Sequence, residues 1–201
     1  MYSWPGPAFI LYGYGTVEVT FINSLTGKHL FAIEKTLDVM YNNTIDWNNF
    51  IPNVVHIHGM INPPKFDGLP EAWFTSNGLQ GKDYYTLYNP ELKDRQTIRL
   101  ANIMQGEATL FYHDHSIAMT RLNVMAGLAG FCIVHDPESY LSKIFDRNHD
   151  IFLAIADRMF NVDGSLYYPS TGDSLEYPNW IPEFYGDVMV VNGRTYPNLD
   201  V

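Results

Sequence analysis

Two pairs of histidines, each with the spacing His-x-His, are the residues of this sequence best suited to metal chemistry. His56 and His58 form the first pair, and His113 and His115 form the second. Both pairs lie in runs that predict β-strands, and side chains two positions apart on a strand point to the same face. Each pair therefore presents two imidazoles in one direction, and two such strands side by side bring four imidazoles together. Imidazole is a ligand for copper, zinc, iron and nickel.

A structural interpretation of these residues competes with the metal site, because a single His-x-His pair in a strand is more often structural or solvent-exposed. The presence of two pairs favours metal binding. The other histidines, His29, His135 and His149, have no comparable partners, and we interpret them as ordinary surface or strand-end residues. Cys132 and His135 have the Cys-x-x-His spacing of a small blue copper protein's ligand loop. Tyr140 stands where such a loop has its axial methionine, so a buried, inert thiol is the preferred interpretation.

Strands are the elements predicted to carry these residues, because short alternating apolar and polar runs recur between Gly, Pro and Asn. In residues 15–22, for example, Val17, Val19 and Phe21 are predicted to face a core. Several short strands of this kind, paired antiparallel, favour an all-β Greek-key sandwich or barrel. A short helix is expected within residues 116–124. The other strand candidates are residues 54–58, 96–100, 108–115, 128–134 and 151–155.

A change in composition near residue 145 predicts two units in the chain. Residues 137–148 are polar and charged, and we expect a strand, an Asp163-Gly164 turn and a second strand to follow them. Another strand and turn are expected at residues 187–193. We therefore interpret residues 1–145 as a first domain that carries both His-x-His pairs. Residues 146–201 are interpreted as a linker and the first strands of an incomplete second domain.

The charge balance and the length of the apolar runs exclude several classes of partner. The chain has 12 basic and 22 acidic residues and a formal net charge of -10, which repels nucleic acid and anionic membrane surfaces. Its apolar runs are far shorter than the roughly 20 residues of a transmembrane helix. The first residues also lack the basic start and apolar stretch of a signal peptide. We expect a neutral or cationic small substrate, with no nucleic acid and no membrane as partner.

The sequences around both histidine pairs resemble the first two copper motifs of the multicopper oxidases. The resemblance rests on Val54-Val-His-Ile-His-Gly-Met and on Leu110-Phe-Tyr-His-Asp-His-Ser, which is followed by Thr120-Arg-Leu-Asn-Val. The spore-coat laccases and bilirubin oxidases are the most similar branch. Supporting stretches, in the family order, are Trp4-Pro-Gly-Pro, Asp67-Gly-Leu-Pro-Glu-Ala-Trp-Phe, Asp163-Gly-Ser-Leu-Tyr-Tyr-Pro and Val191-Asn-Gly-Arg-Thr-Tyr-Pro.

This resemblance implies a fold and a role for each candidate residue. The fold is a cupredoxin-like Greek-key β-sandwich, followed by the beginning of a second cupredoxin-like domain. His56 is implied to bind a type-2 copper, His58 and His113 one type-3 copper, and His115 the other type-3 copper of a trinuclear cluster. Asp67 resembles the acid that hydrogen-bonds solvent beside the cluster and delivers protons to reduced oxygen. The alternative for Asp67 is a simple turn residue.

By this resemblance, half of the eight histidines of the trinuclear cluster, and the type-1 copper site as well, do not occur in this sequence. The resemblance places four further histidines, and the cysteine of the electron-entry type-1 copper, in C-terminal cupredoxin domains with His-x-x-His-x-His and His-Cys-His motifs, which are missing here. It implies the copper-binding part of a laccase-like enzyme that oxidises phenols, aromatic amines or metal ions and reduces O2 to water. No full activity is expected from these residues alone. An extracellular, spore-surface or cell-surface location is expected from the same resemblance.

Two other classes of function remain as alternatives. The first is a non-catalytic copper-binding or structural cupredoxin module, which predicts metal uptake without oxygen reduction. The second is a cupin-type mononuclear metal enzyme, which also uses His-x-His strands. That pattern needs a glutamate a few residues after the histidine pair, and Glu71 comes too late for it.

Overall fold

A computed structural model describes residues 4–13, 15–85, 91, 93–100, 105–145 and 147–199. The described chain is mainly β-structure, with two short α-helices and several single-turn or two-turn 3-10 helices. Its strands are β1 (Gly6–Tyr12), β2 (Val17–Ile22), β3 (Val55–His58), β4 (Arg95–Leu100), β5 (Ala108–Asp114), β6 (Ala129–His135), β7 (Ile155–Phe160), β8 (Leu166–Tyr167), β9 (Val188–Val191) and β10 (Arg194–Thr195). The α-helices are α1 (Thr120–Met125) and α2 (Tyr140–Ile144), and the 3-10 helices are Lys35–Tyr41, Pro64–Phe66, Pro70–Ala72 and Arg147–His149. The predicted all-β class is confirmed.

The first sheet has the strand order β1-β6-β5-β3, so that β5 lies inside the sheet and β3 forms an edge. β5 pairs antiparallel with both β3 and β6, as the alternating pattern predicts. β1 pairs parallel with β6, which the antiparallel expectation did not include. Its sequence, with Pro7 near the start followed by a continuous apolar run, has no alternation by which it could be recognised.

A two-stranded antiparallel sheet of β2 and β4 covers the inner face of the first sheet. Burial alternates along β2, and Val17 and Phe21 pack against the core, as predicted. Core residues come from both sheets and from the loop after β3, because alternate residues of each strand point inward. This core contains Leu11, Val55, Ile57, Met60, Phe66, Ile98, Tyr112, Cys132 and Val134.

A second hydrophobic cluster lies beneath the long connection between β2 and β3 and includes residues next to and within α1. Its members are Phe31, Tyr41, Ile45, Val54, Trp73, Met119 and Leu122. Leu166 and Tyr168, from the segment that follows β7, are partly buried against this cluster. The ring of Tyr168 lies 5.4 Å from that of Phe31, between ring centroids. Residues well beyond position 145 thus help to cover this second cluster.

The second sheet, with the order β10-β9-β7-β8, lies entirely after residue 145. The strands expected on either side of the Asp163-Gly164 turn are present as β7 and β8. The strand predicted at residues 151–155 is wrong, because β7 begins only at Ile155. The backbone around residues 152–154 is instead held by the Asn192 side chain, which donates to the Phe152 carbonyl and accepts from the Ala154 N–H.

The helices also differ from expectation. The helix expected within residues 116–124 begins only at Thr120, because Ala118 has a φ of 60° and cannot continue a right-handed helix. α2 was not predicted. It begins at Tyr140, and the preceding residue, Ser139, is its N-cap, whose side chain accepts a hydrogen bond from the Ser142 N–H. In the described residues, every helix is too short to cross a membrane.

Candidate metal centre

The pairing of β3 with β5 brings the two His-x-His pairs side by side. In this register His56 lies directly opposite His113, and Ile57 lies opposite Tyr112. Because Ile57 and Tyr112 point into the core, the histidine side chains point to the outer face of the same sheet. His115 follows the end of β5 directly, and its N–H donates to the Val54 carbonyl over 2.8 Å. The predicted convergence of four imidazoles is therefore present.

The distances between these imidazoles suit a metal ion. Ligand nitrogens of His56, His58 and His113 all lie within 4.8 Å of one another. His58 Nδ1 and His113 Nε2 are 3.2 Å apart. Two nitrogens bound to one metal ion at about 2.0 Å, at a tetrahedral angle, are roughly 3.3 Å apart. His115 stacks on His56, with 4.6 Å between ring centroids and an interplanar angle of 22°.

Backbone carbonyls fix the orientation of most of these rings. A carbonyl oxygen only accepts hydrogen bonds, so each bonded Nδ1 carries the proton and leaves Nε2 free for a metal. These Nδ1–H donors are His56 to the Asp67 carbonyl (2.5 Å), His115 to the Gly68 carbonyl (2.8 Å) and His113 to the Asp114 carbonyl (2.6 Å). The donor set is therefore oriented for coordination by neutral imidazole.

The loop after β3 provides two of these carbonyls from consecutive residues. Phe66 is buried in the core and anchors the loop. Gly68 has a φ of 71°, and a Cβ at this position would lie 2.1 Å from the Val55 carbonyl oxygen. Only glycine therefore allows the loop to approach β3 so closely. This close approach explains how a turn distant from both strands reaches two histidine rings.

Asp67 contacts the histidine site through its side chain as well as its backbone. Its Oδ1 lies 3.3 Å from His56 Nδ1, and about a third of the Asp67 side chain is exposed. The structure thus places this residue beside an imidazole and in contact with solvent. The carboxylate lies on the Nδ1 side of the His56 ring, away from the nitrogen left free for a metal.

Asp114, between the two histidines of the second pair, points to the opposite side and is completely buried. Sequence reasoning identified only that it points away from the site. Its carboxylate accepts hydrogen bonds from Asn53 Nδ2 (3.0 Å), Val54 N (3.1 Å), Ser116 Oγ (2.9 Å), Ser116 N (3.2 Å) and Asn123 Nδ2 (2.9 Å). Burial raises the pKa of Asp114 to about 6, and these hydrogen bonds act in the opposite direction.

The four histidines open onto a cavity of about 570 Å³. Its other lining residues are Phe111, Thr120, Arg121, Val124, Met125 and Arg158, so no carboxylate lines it in the described part of the chain. Arg158 is buried and stacks on Trp4, with Cζ 4.6 Å from the ring centroid. Burial lowers the pKa of His113, its hydrogen bond to the Asp114 carbonyl acts in the opposite direction, and the neighbouring imidazoles lower the pKa further, which favours the neutral ring. Sequence reasoning missed the two arginines because neither lies in a ligand motif.

The remaining histidines and the cysteine lie away from this cavity. His29 is buried, which corrects the surface interpretation, because its Nδ1 accepts from the Phe31 N–H at 3.0 Å and its ring packs beside Phe31. His135 is the last residue of β6, as expected of a strand-end residue, and His149 is exposed.

Cys132 lies in the core within β6, and burial raises the pKa of its thiol to about 11. Residues three apart on a strand face opposite sides, so Cys132 and His135 do not form a blue copper ligand loop.

Comparison with known proteins gives long matches to copper oxidases. The chain is 37% identical over 202 residues to a laccase of Bacillus subtilis, which covers 98% of this chain and 37% of that protein. It is 35% identical over 201 residues to the multicopper oxidase LPR1 of Arabidopsis thaliana, covering 98% of this chain and 32% of that protein. The chain thus spans about a third of the length of these curated relatives. No protein-family model matches the chain.

Solved structures show the same fold. The multicopper oxidase McoA of Aquifex aeolicus superimposes with a TM-score of 0.62 at 25% identity, covering 97% of this chain and 33% of McoA. A laccase of Pediococcus acidilactici superimposes with a TM-score of 0.64 at 22% identity, covering 96% of this chain and 32% of that laccase. The arrangement of strands in the chain is therefore the one found in these oxidases.

Proposed function

Because the chain belongs to the multicopper oxidase family, we propose that it is the copper-binding first part of a laccase-like oxidase. The whole enzyme would oxidise phenols, aromatic amines or metal ions and reduce O2 to water. One observation carries this proposal: four imidazoles converge on one face of the sheet, and most of them are oriented by a backbone carbonyl. Copper is the metal that the family implies, and a set of neutral imidazoles suits it.

The spacing of the rings supports the division of the ligands that the family resemblance implies. His58 and His113 present nitrogens 3.2 Å apart, which suits a single shared ion, here one type-3 copper. His56 would serve the type-2 copper and His115 the second type-3 copper. Copper bound there would take up electrons singly and pass them to dioxygen. The chain itself supplies oriented, neutral ligands in a partly enclosed cavity.

We propose that Asp67 delivers protons to this site. A proton donor needs contact with both the reaction centre and a source of protons, and Asp67 lies 3.3 Å from His56 while remaining partly exposed. Its carboxylate hydrogen-bonds solvent beside the site rather than binding copper, because it lies on the Nδ1 side of His56. Protons taken from solvent would thus enter beside the first histidine pair.

Four imidazoles cannot saturate three copper ions, so the proposed cluster needs ligands from another part of the protein. We propose that residues 1–145 form the first cupredoxin domain and residues 146–201 the linker and start of a second. The open cavity of about 570 Å³ is the surface that C-terminal cupredoxin domains would cover. O2 and a small reducing substrate would be partners of that complete enzyme.

Oxygen consumption with a phenolic substrate tests the proposal in copper-loaded proteins. The forms to compare are this chain alone, the chain fused to the downstream part of the Bacillus subtilis laccase, and that fusion with His115→Ala. We expect no sustained turnover from the chain alone, copper-dependent turnover from the fusion, and loss of turnover in the variant.

Two results would contradict the proposal. Turnover by the chain alone would show that it completes the site in another way. A folded fusion that binds its copper but consumes no oxygen would favour the non-catalytic module.

A further inference from the structure

We propose that the Asp114 carboxylate is a positioning residue, which sets the geometry of the four-histidine site from the core side of the sheet. The inference rests on the proposed metal site for its readout. Asp114 does not contact the cavity, since its side chain is 1% exposed and lies on the opposite face of β5. It acts through the backbone segments that carry the histidines.

The hydrogen bonds of Asp114 join these segments. Oδ1 accepts from Asn53 and Val54, directly before β3 and its histidine pair. Both carboxylate oxygens accept from Ser116, the residue after His115. One carboxylate thus holds the beginning of the first pair against the end of the second.

A third segment, the helix α1, is joined to the same group. Oδ2 accepts from Asn123 Nδ2, and Asn123 also donates to the Pro52 carbonyl. The neighbouring residue Val124 lines the metal cavity. The carboxylate therefore fixes one wall of the cavity relative to both histidine pairs.

The backbone of Asp114 contributes a direct link to a ligand. Its carbonyl accepts the Nδ1–H of His113 over 2.6 Å, which orients this ring and selects the tautomer with Nε2 free. Holding the side chain of Asp114 in place thus also holds the acceptor of His113. This carbonyl and the buried carboxylate lie in the same residue, so a shift of one moves the other.

β3 needs such a support because it is a short strand at the edge of the sheet. It has four residues, and among the described strands only β5 pairs with it. On its other edge, the Gln96 side chain bonds both the N–H and the carbonyl of Val55, each over 2.8 Å. Gln96 holds Val55 alone, whereas Asp114 connects the histidine-bearing segments to each other.

Only an ionised carboxylate fits these contacts. Five donors converge on two oxygens, and a carboxylate is acceptor-only with about four lone-pair sites. Asparagine has the same shape, but its amide would turn two N–H groups toward groups that also donate. Asp114→Asn therefore breaks the network while changing the side-chain volume very little.

The test is copper(II) titration of the folded chain with electron paramagnetic resonance, for wild type and Asp114→Asn. We expect the variant to bind copper about 10- to 100-fold more weakly, as is typical for loss of an outer-shell partner, and to give a changed copper spectrum. Thr75→Val is the matched control. The Thr75 side chain is also buried and makes three hydrogen bonds, all of them within its own turn, to Asn77 and Leu79. Its loss should lower the melting temperature and leave the copper spectrum unchanged.

Ser116→Ala provides a milder variant in case Asp114→Asn does not fold. It removes the 2.9 Å bond to Oδ1 and keeps the carboxylate, so we expect a smaller change of the same spectrum. An unchanged affinity and spectrum in the folded Asp114 variant, or in Ser116→Ala if that variant alone folds, would overturn the inference. Absence of copper binding by wild type would instead contradict the proposed function.

Discussion

Both ends of the β5–β6 pair carry a buried histidine beside a cavity, but in the described residues several imidazoles converge at only one of these ends. His113 lies near the end of β5 and His135 at the end of β6, and the two are similarly buried, at 7% and 8% exposure. Each lines a cavity, of about 570 Å³ for His113 and about 520 Å³ for His135. A buried strand-end histidine beside a cavity is therefore common to both ends.

The neighbours of the two histidines differ. His113 has three further imidazoles around it, and a carbonyl fixes its Nδ1. His135 faces the Glu107 carboxylate at 3.8 Å, and this carboxylate already accepts hydrogen bonds from Ser139 and Ser142. The first arrangement leaves ligand nitrogens directed at one another, whereas the second uses its carboxylate to anchor α2. Convergence and ring orientation, rather than burial or a cavity, distinguish His113, a proposed ligand, from His135.

The largest effect on copper binding should come from replacing the histidines at one end and then those at the other. Replacing His56, His58, His113 and His115 together by alanine should abolish high-affinity copper binding, because all the oriented imidazoles are lost. His135→Ala should leave the bound copper unchanged, and it is the matched control. Metal analysis of the copper-loaded, folded proteins measures both. If the four-alanine protein retains the copper of wild type, the assignment of the site is wrong.

An intermediate effect is expected for Asp67→Asn in the oxygen-reducing fusion. The copper content should stay the same, because Asp67 lies on the protonated side of His56. Oxygen reduction should slow by about 10- to 100-fold, most at higher pH, because solvent then supplies protons less readily. Steady-state oxygen consumption across pH, together with metal analysis, provides the measurement. Equal rates for wild type and variant at every pH would remove the proposed role.

The smallest effect concerns Cys132, which lies on the core face between the two ends. Burial raises the pKa of its thiol to about 11, so unfolding favours deprotonation. Its contribution to stability is complete below the ordinary thiol pKa and is lost as pH rises toward 11. The melting temperature of wild type should thus fall more steeply between pH 9 and pH 11 than that of Cys132→Ala.

Burial also raises the pKa of Tyr112 to about 12, but this residue is present in both wild type and Cys132→Ala, so it changes the pH dependence of both melting temperatures equally.

Copper-loaded wild type should also lack the intense blue absorption of thiolate-bound copper. A blue band that disappears in Cys132→Ala would show that the thiol is a ligand.

The histidine positions were predictable from sequence because they depend on a strand period of two and on one register. The same period placed Val17 and Phe21 in the core. The network around Asp114 was not predictable, because its donors come from separate segments that only the folded chain brings together. An aspartate directed into a core is nevertheless a signal, since a buried carboxylate requires several donors.

Local backbone geometry explains the remaining differences between sequence and structure. Because Ala118 has a left-handed conformation, α1 begins later than expected, and an alanine does not by itself predict such a conformation. The Asn192 side chain bonds the backbone at residues 152–154 in place of a neighbouring strand, from about forty positions away. Such long-range contacts override the local preference for a strand or helix, and they produce no periodic pattern of apolar and polar residues in the sequence.

The packing of Tyr168 has a consequence for how far this chain can be shortened from its C-terminal side. Arg121, in the wall of the metal cavity, donates to the Tyr168 hydroxyl over 2.7 Å, and Tyr168 also covers Phe31. A protein shortened at residue 145 would lack Tyr168, so Phe31 would become more exposed and Arg121 would lose this hydrogen bond. A piece of the chain that ends after residue 168 keeps both contacts, whereas a piece that ends at the change in composition near residue 145 loses them.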